Sequence, residues 1–251
     1  RDYFYSLKRF KKVVEKFFPD LCFYGKLTVK KLVRNTEKRS RKALMFSGGL
    51  DSIHLYTKMR HLKPDLYTII GGTIPVTNKD LIKRFKINFE SFAEKEGVDI
   101  NFIEINLGQV LNEGLLTAKY GRNFPQTDAT WWGKLNHGIV QLSACAPLTI
   151  RENIGKIYVA ASSRPYPDGT HSSLVDKIFW SGTRAVPDID GNKRFEKVKA
   201  ILETFSMDTS ILKFQTCLYS PVNTNLLNCG SCSKCLSLIV SLMILGYDPR
   251  S

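Results

Sequence analysis

Short apolar strand patterns alternate with helical patterns through the middle of the chain, and this alternation constrains the fold more than any other feature. The strand patterns lie at 43–46, 65–70, 98–105 and 156–161. The stretches between them carry apolar residues at helical spacing. Strands that alternate with helices form a parallel sheet with right-handed crossovers. We therefore predict an α/β fold whose core, a doubly wound parallel sheet of the Rossmann-like type, covers 43–185.

The basic residues are concentrated before this core. The 251-residue chain has a net charge of +14, and 14 of its 37 lysines and arginines lie in 1–42, against four acidic residues. That segment therefore carries +10, and the other 209 residues carry only +4. Clustered basic side chains favour a polyanionic partner, although a solvated helix face has the same composition. We expect 1–42 to be a basic N-terminal extension, with a helix and then one or two strands within 21–33.

A glycine-rich loop joins the first strand of the core to the first helix. Its residues are Ser47, Gly48, Gly49, Leu50, Asp51 and Ser52. Adjacent glycines let backbone N–H groups turn towards an anion at the positive end of the helix dipole, and the two serines can add hydroxyl donors. The carboxylate of Asp51 would repel a bare phosphate, so its presence indicates Mg²⁺ between the two. The lysine that a Walker loop carries after its last glycine is absent from this motif.

The loop resembles the PP-loop motif, SGGxDS, of the ATP pyrophosphatase (adenine nucleotide alpha hydrolase) superfamily. The resemblance implies a PP-loop/HUP core in which ATP is attacked at its α-phosphorus and pyrophosphate leaves. It implies that 47–52 bind ATP and that adenine lies against the end of the second strand. The residues expected there are Ile70, Gly71, Gly72 and Thr73. A substrate carboxylate or carbonyl oxygen would form an adenylate, from which a nitrogen or sulfur nucleophile displaces AMP.

Four of the six cysteines lie in 186–251, which we expect to be a helical region with a metal site. They are Cys217, Cys229, Cys232 and Cys235. A CxxC turn places two sulfurs on one side of a tight loop, and four thiolates complete a closed tetrahedral zinc site. Three cysteines at this spacing also suit an iron–sulfur cluster, which is the alternative to zinc.

The PP-loop and the CxxCxxC run together resemble the 7-cyano-7-deazaguanine synthase branch of the superfamily, in which four cysteines hold a structural zinc. Tyr166 and Asp168 match a tyrosine-proline-aspartate stretch near that branch's substrate, and Lys193 or Arg194 matches a basic residue at a helix start. The longer spacer after Cys217 and the basic segment 1–42 depart from the branch. The resemblance therefore implies the nucleotide chemistry and the metal site, without the deazaguanine substrate.

Further candidate residues follow the fourth strand or begin the long helix before it. Arg164 and His171 can bind an anionic substrate, and Trp132 and His137 can line the pocket of the second substrate. Tryptophans at a helix start more often belong to the core, and loop arginines are usually only solvated. The residues that we predict to be catalytic are Asp51, Lys193 and Arg164.

These features predict an ATP-dependent enzyme that forms AMP and pyrophosphate by adenylating a small-molecule carboxylate or carbonyl, with ATP, Mg²⁺ and Zn²⁺ bound. One alternative is a tRNA-thiolating PP-loop enzyme that grips tRNA with 1–42, and another is a nucleotide-binding module without turnover. The longest apolar stretch, 236–245, is about half the length of a membrane span, and the first residues lack the apolar core of a signal peptide. We therefore expect a cytoplasmic protein that does not enter a membrane.

Overall fold

The fold is that of a computed structural model, which describes the chain with several gaps. The described residues are 1–22, 24–35, 37–72, 74–124, 130–161, 168, 170–189, 191–206, 216–217 and 228–249. The strands are β1 (Arg41–Met45), β2 (Asp65–Ile70), β3 (Ile100–Glu104), β4 (Ile154–Ala161), β5 (Phe179–Trp180) and β6 (Thr183–Ile189). The helices are α1 (Asp2–Phe17), α2 (Leu50–Met59), α3 (Lys79–Glu96), α4 (Leu107–Val110), α5 (Glu113–Tyr120), α6 (His137–Arg151), α7 (Ser172–Val175), α8 (Arg194–Thr204) and α9 (Ser233–Ile244). Short 3₁₀ turns occur at Arg60–Leu62 and Gly121–Asn123, and a π-helix at Trp132–Asn136.

The strands form a six-stranded, mostly parallel sheet in the order β3-β2-β1-β4-β6-β5. The β2–β3 and β4–β6 pairs are parallel, whereas the short β5 runs antiparallel to β6. An α/β fold is therefore confirmed. The order of the first four strands is that of doubly wound sheets, so a Rossmann-like core is consistent with it and stays a prediction at that finer level.

Contacts within the chain divide it into two compact units. Arg1–Ala43 and Leu107–Asp190 form one, named here the basic unit because it contains 1–42. Leu44–Asn106 and Gly191–Ser251 form the other, named here the loop unit because it contains 47–52. The division into 1–42, 43–185 and 186–251 that we expect from the sequence stays a prediction.

An aromatic cluster fills the interior of the loop unit at the end of β1. Phe46, which directly precedes Ser47, stacks on Phe92 with the ring centroids 5.2 Å apart and contacts Phe89 edge-on at 5.1 Å. Both partners lie on α3. Tyr56 of α2 and Phe205, at the end of α8, contact the same Phe92 ring. The start of the glycine-rich loop is therefore attached to three helices by aromatic packing.

In the basic unit, α1 is docked through one apolar face. The buried cluster beneath it contains Val14, Phe18, Leu21, Phe124, Leu135 and Leu174. The Ser6 hydroxyl donates to the carbonyl of Lys177 and accepts from the N–H of Phe179 at 3.0 Å. The helix predicted near the start of the chain is therefore confirmed, with Val14 buried and Phe10, Val13 and Phe17 packed against the same cluster, while Tyr3 is 49% exposed.

The structure corrects the expected strands within 21–33. Among the described residues of 21–35 there is no regular secondary structure, and those after Leu21 and before Asn35 are exposed. The alternation of Val and Thr with lysines suits a strand, but a strand needs a neighbour for its backbone hydrogen bonds and a face to bury. Local propensity is therefore overridden here by the lack of a pairing partner.

The sequence analysis missed β6. Its residue Pro187 has no N–H to donate to a ladder, which argues against a central strand. In the sheet Pro187 lies opposite Val159 of β4, while β5 pairs only with Thr183 and Arg184 at the start of β6. The proline is tolerated because β5 ends before reaching it.

No helix among the described residues combines the length and the apolar character that crossing a membrane requires.

Replacing Thr149 by valine should destabilise the basic unit. The buried Thr149 hydroxyl on α6 accepts a 2.9 Å hydrogen bond from the indole Nε1 of Trp180. Valine keeps the shape but leaves that buried N–H without an acceptor, so we expect a loss of about 1 to 3 kcal/mol in the free energy of unfolding, measured by urea denaturation. Ser143→Ala on the same helix removes an exposed hydroxyl bonded to Ile139 and should change stability by less than about 0.5 kcal/mol. Equal effects of the two variants would contradict this account.

Candidate functional site

The glycine-rich loop is held by hydrogen bonds at both of its ends. Before it, the Phe46 N–H donates to the carbonyl of Tyr67 at 2.8 Å, and the Phe46 carbonyl accepts from the Thr68 hydroxyl at 2.6 Å. Within it, the Ser52 hydroxyl donates to the carbonyl of Gly49 at 2.9 Å and lies 3.2 Å from the Ser47 hydroxyl. The loop is therefore closed on itself before any ligand is present, and α2 begins directly after it.

Two glycines near the ends of β1 and β2 are required by space and backbone conformation. Gly48 has φ +67°, and a Cβ there would overlap the ring of Phe89. Gly71 has φ +100°, and a Cβ there would overlap the carbonyl of Ile105. Both positions combine a left-handed conformation with close packing, which only glycine accommodates at low cost.

Three cations surround the carboxylate of Asp51, in the first turn of α2. The Lys197 ammonium of α8 lies 2.8 Å from a carboxylate oxygen of Asp51. The charges of Arg194, at the start of α8, and of Lys234, at the start of α9, also act on that carboxylate. The packing of α8 against both α2 and α9 brings the three together. Three cations and one carboxylate give this group a net positive charge, which suits an anionic ligand.

The pKa of Asp51 is lowered by these neighbours. The partial removal of water around the carboxylate raises its pKa, but the hydrogen bond and charge of Lys197, with the charges of Arg194 and Lys234, outweigh that effect. The Asp51 side chain is still 59% exposed, whereas that of Lys197 is 13% exposed. An ionised, accessible carboxylate beside cations that can bind phosphate fits a Mg²⁺–nucleotide ligand.

The guanidinium of Arg194 has unsatisfied donors. Its Nε and Nη2 atoms are buried, and no described residue accepts a hydrogen bond from either. Leaving two buried guanidinium donors without acceptors is costly, and a bound phosphate or carboxylate would satisfy both at once. Arg194 is therefore an anion-binding candidate in its own right.

The predicted adenine site is described in part. Ile70 ends β2 fully buried, the N–H of Gly71 donates to the carbonyl of Ile74 at 3.0 Å, and Gly72 is exposed. Thr73 lies outside the described residues. The close approach of Gly71 to the backbone at Ile105 means that the protein itself fills the space around this glycine.

The four clustered cysteines come together and could hold a metal ion. The Sγ atoms of Cys217, Cys229, Cys232 and Cys235 all lie within 4.8 Å of one another. Cys235 lies 3.4 Å from Cys232 and 3.9 Å from Cys229, sulfur to sulfur. Four sulfurs bonded at about 2.3 Å to one tetrahedral ion are separated by about 3.8 Å. The donor set and its spacing therefore fit a single metal ion.

Asn228 joins the two parts of the cysteine cluster. Its side-chain oxygen accepts from the N–H groups of Thr216 at 2.8 Å and of Cys217 at 3.1 Å. The next residue, Cys229, begins the CxxCxxC run. One amide thereby aligns the distant Cys217 with the run.

The thiol pKa values differ across the cluster. Donors from the hydroxyl and N–H of Ser231, the N–H of Cys232 and the thiol of Cys217 lower the pKa of Cys229 to about 5. Burial, followed by the neighbouring Cys232 thiol, raises the pKa of Cys235. Cys145 lies apart from this group, buried within α6, where burial raises its pKa to about 12.

The described residues of the predicted substrate pocket lie in the basic unit as two pairs, which are Trp132 with His137 and Asp168 with His171. Trp132, in the π-helix, lies 5.5 Å from His137 between ring centroids. Asp168 accepts from the N–H of Thr170 at 2.9 Å, and the His171 ring accepts from the N–H of Ser173 at 3.2 Å and so caps α7. The described contacts of Asp168 and His171 are those of turn and capping residues, and a substrate role for the two pairs stays a prediction.

Two predicted residues, Arg164 and Tyr166, lie outside the described part of the chain. Lys193 is described, and it is the exposed residue before α8, where its N–H donates to the Glu196 carboxylate at 2.6 Å. The lysine that contacts Asp51 is Lys197, one turn further along α8.

Roles for Lys197, Lys234 and Asn228 were not predicted from the sequence, and Arg194 was a candidate only as the alternative to Lys193. Lys197 was detectable, since it is four residues from Lys193 and shares its helix face. Lys234 lies inside the cysteine run, where attention falls on the thiols, and nothing in the sequence indicates that α9 begins near Asp51.

Models of known protein families do not match this chain, and a search of curated proteins also finds no match. Support for a function therefore comes from the residues and contacts described above.

Replacing one of the clustered cysteines should remove a bound metal. Cys229→Ser leaves three thiolates and a weaker oxygen ligand, so we expect the metal content of the purified chain to fall from about one ion to a small fraction of that. Elemental analysis after gel filtration measures it. Cys22→Ser, at an exposed cysteine outside the cluster, is the matched control and should retain the metal. Equal metal content in the two variants would exclude a site formed by this cluster.

Proposed function

We propose that the chain is an ATP-dependent adenylating enzyme, which releases pyrophosphate and AMP as it joins a small carboxylate or carbonyl compound to a nitrogen or sulfur nucleophile. The observation that carries the proposal is the carboxylate of Asp51, ionised and surrounded by Lys197, Arg194 and Lys234 beside the SGGxDS loop. A ligase assignment further rests on the resemblance of that loop to the PP-loop motif. A Rossmann-like PP-loop core is part of the same proposal.

The charge distribution supports a polyphosphate ligand. ATP brings several negative charges, which the three cations can balance, and the buried donors of Arg194 are suited to phosphate oxygens. Asp51 is the residue that would hold Mg²⁺, which neutralises charge on the phosphates when it is bound. Carboxylate and substrate phosphates are the usual ligands of this ion in proteins.

The residues act by positioning and by charge. A substrate oxygen attacks the α-phosphorus, the bond from that phosphorus to the bridging oxygen breaks, and pyrophosphate leaves with the electron pair. Arg194 and Lys234 can stabilise the charge that develops on the leaving group, because they are already in place before the reaction. The nucleophile then attacks the adenylated carbon, and AMP leaves. The predicted partners are therefore ATP and a small-molecule acceptor, with Ser47 and Ser52 keeping the loop in shape.

Lys197 has two states in this proposal. Without nucleotide its ammonium neutralises Asp51, from which it lies 2.8 Å away. With the nucleotide bound, Asp51 would hold Mg²⁺, and the Lys197 ammonium would pair with a phosphate oxygen. The exchange conserves charge pairing in a largely enclosed position, where an unpaired ammonium would be costly.

We assign zinc, rather than an iron–sulfur cluster, to the cysteines. The sulfur separations of 3.4 and 3.9 Å bracket the edge of a tetrahedron around one ion. Four cysteine ligands leave no open position, so this zinc has a structural role. Thiols that must stay reduced for metal binding fit a cytoplasmic setting.

Asp51→Asn should abolish most of the turnover. The amide keeps the size of the side chain but cannot hold Mg²⁺ as a carboxylate does, so we expect pyrophosphate release to fall by about 100-fold. The assay supplies ATP, MgCl₂ and a pool of small metabolites, and measures pyrophosphate and AMP together. Asp80→Asn, the same change in the first turn of α3, should leave the rate unchanged.

Absence of ATP binding by the wild-type chain under every condition tested would refute the function. A wild-type chain that binds ATP without forming AMP with any acceptor would point instead to a binding module.

Lys197→Met tests whether the lysine pairs with Asp51 in one state and with a phosphate in the other. Without Mg²⁺, ATP binding should weaken by about tenfold, because the Asp51 carboxylate is no longer neutralised by the ammonium and repels the phosphates. Because no ammonium then competes with Mg²⁺ for Asp51, the half-maximal enhancement of ATP binding should need less Mg²⁺ than in the wild type. Equilibrium dialysis with labelled ATP across a Mg²⁺ series measures both. Lys199→Met, an exposed lysine on the same helix, should change neither, and a Mg²⁺ requirement equal to that of the wild type in Lys197→Met would refute the exchange.

A further inference from the structure

The outer face of α1 carries a row of cations on a rigid support. Lys8, Lys12 and Lys16 are spaced four residues apart and exposed, on the side opposite the buried Val14. At a rise of about 1.5 Å per residue, neighbouring members of this row are about 6 Å apart along the helix. Among the described residues, no carboxylate lies within ion-pair distance of any of the three. Lys11, on the flank of the row, pairs with Glu15 at 3.5 Å, and the Lys8 ammonium lies 4.5 Å from the centroid of the Phe4 ring.

A second set of cations lies in 24–35, the part of the basic unit without regular secondary structure. The exposed basic residues in it are Lys26, Lys30, Lys31 and Arg34. Tyr24 lies among them with 86% of its surface exposed, the largest exposure among the large hydrophobic residues of the described chain. A ring so exposed lacks the hydrophobic free energy that burial would provide. A partner with both negative charge and flat rings would recover it.

The segment is attached to the basic unit just after these residues. Arg39 donates to the carbonyls of Ser181 at 2.8 Å and Ile150 at 2.7 Å, and pairs with Glu37 at 2.6 Å. Its charge is used in this anchor, and Arg41 lies 3.7 Å from Glu152. The row Lys8, Lys12 and Lys16 and the cations in 24–35 therefore differ from Arg39 and Arg41, since the described residues give that row and those cations no anionic partner.

We propose that α1 and 24–35 form a nucleic-acid-binding surface, named here the basic surface, whose lysines contact the phosphate backbone while Tyr24 stacks on an unpaired base. The N-terminal ammonium of Arg1, directly before α1, donates to the carbonyl of Val33 at 2.7 Å, which joins the two sets of cations. Cations without an anionic partner and an exposed aromatic ring are the combination that single-stranded nucleic acids engage. The interaction is independent of the proposed ATP chemistry. It is the contact that a nucleic-acid substrate of the tRNA type would need.

The structure disfavours a membrane as the partner. A helix that lies in a membrane interface inserts its own apolar face, but the apolar face of α1 is already buried against Phe124, Leu135 and Leu174. The face left outside is cationic. The exposed Leu27, Val29 and Val33 of 24–35 are the apolar side chains left for an anionic bilayer, and the experiment below includes that case.

The test measures binding of the full chain to labelled oligonucleotides by fluorescence anisotropy over a series of salt concentrations. The probes are a single-stranded RNA, a DNA of the same sequence and an RNA duplex. We expect the triple variant Lys8→Gln, Lys12→Gln, Lys16→Gln to bind about tenfold more weakly at low salt. The slope of log K against log salt should fall by about 2, since each phosphate contact on a single strand contributes about 0.7.

The matched control removes three exposed lysines from α3 of the loop unit, with Lys79→Gln, Lys83→Gln and Lys95→Gln. It changes the net charge equally and should keep most of the affinity and of the slope. Equal losses in both triple variants would show attraction to overall charge and would refute a defined surface. No binding of any probe by the wild type, or binding only to phosphatidylserine vesicles, would also refute it.

Variants of Tyr24 distinguish base stacking from charge attraction. Tyr24→Ala should weaken single-strand binding by about tenfold, leave the salt slope unchanged and have little effect on the duplex, whose bases are already stacked. Tyr24→Phe retains the ring and should bind as the wild type does. If Tyr24→Ala binds the single strands normally, the stacking contact is refuted. Unfolding curves check that every variant is folded, and the altered side chains are all exposed.

Discussion

The anchoring of Phe46 in the aromatic cluster is the constraint on which the geometry of the candidate site depends. Its ring stacks on Phe92 and contacts Phe89, and its backbone is bonded to β2. The residue that follows begins the glycine-rich loop, so the loop starts from a fixed point. Gly48 then packs on Phe89, where a larger residue would overlap the ring. The rings that pack the core therefore also determine the shape of the loop.

The charges around Asp51 show why the loop unit suits an anionic ligand. The three cations around Asp51 carry more positive charge than its one carboxylate can balance, and two buried donors of Arg194 have no acceptor among the described residues. Both features cost stability in the isolated chain and are relieved by an anion. Sites that bind ligands often keep such local strain, because a fully satisfied site would have nothing to gain from binding.

The sequence predicted much of this arrangement, and the gaps have physical causes. The SGGLDS loop lies where the strand-to-helix periodicity places it, and the four cysteines converge as their spacing suggests. β6 was missed because Pro187 argues against a central strand, and the segment after Leu21 was expected to pair because its composition suits a strand. Lys197 and Lys234 reach Asp51 through the packing of α8 against α2 and α9, which is a tertiary property that residue spacing does not contain.

The docking of α1 also has an entropic consequence. Basic tails of many proteins are flexible, and they lose conformational freedom when they settle on a polyanion. Here the helix is already folded and held by Ser6 and the buried Val14, so the backbone that carries its lysines has little freedom left to lose. Only side-chain rotamers would be restricted on contact. A few cations on such a support can achieve an affinity that a longer flexible tail would need more charges to match.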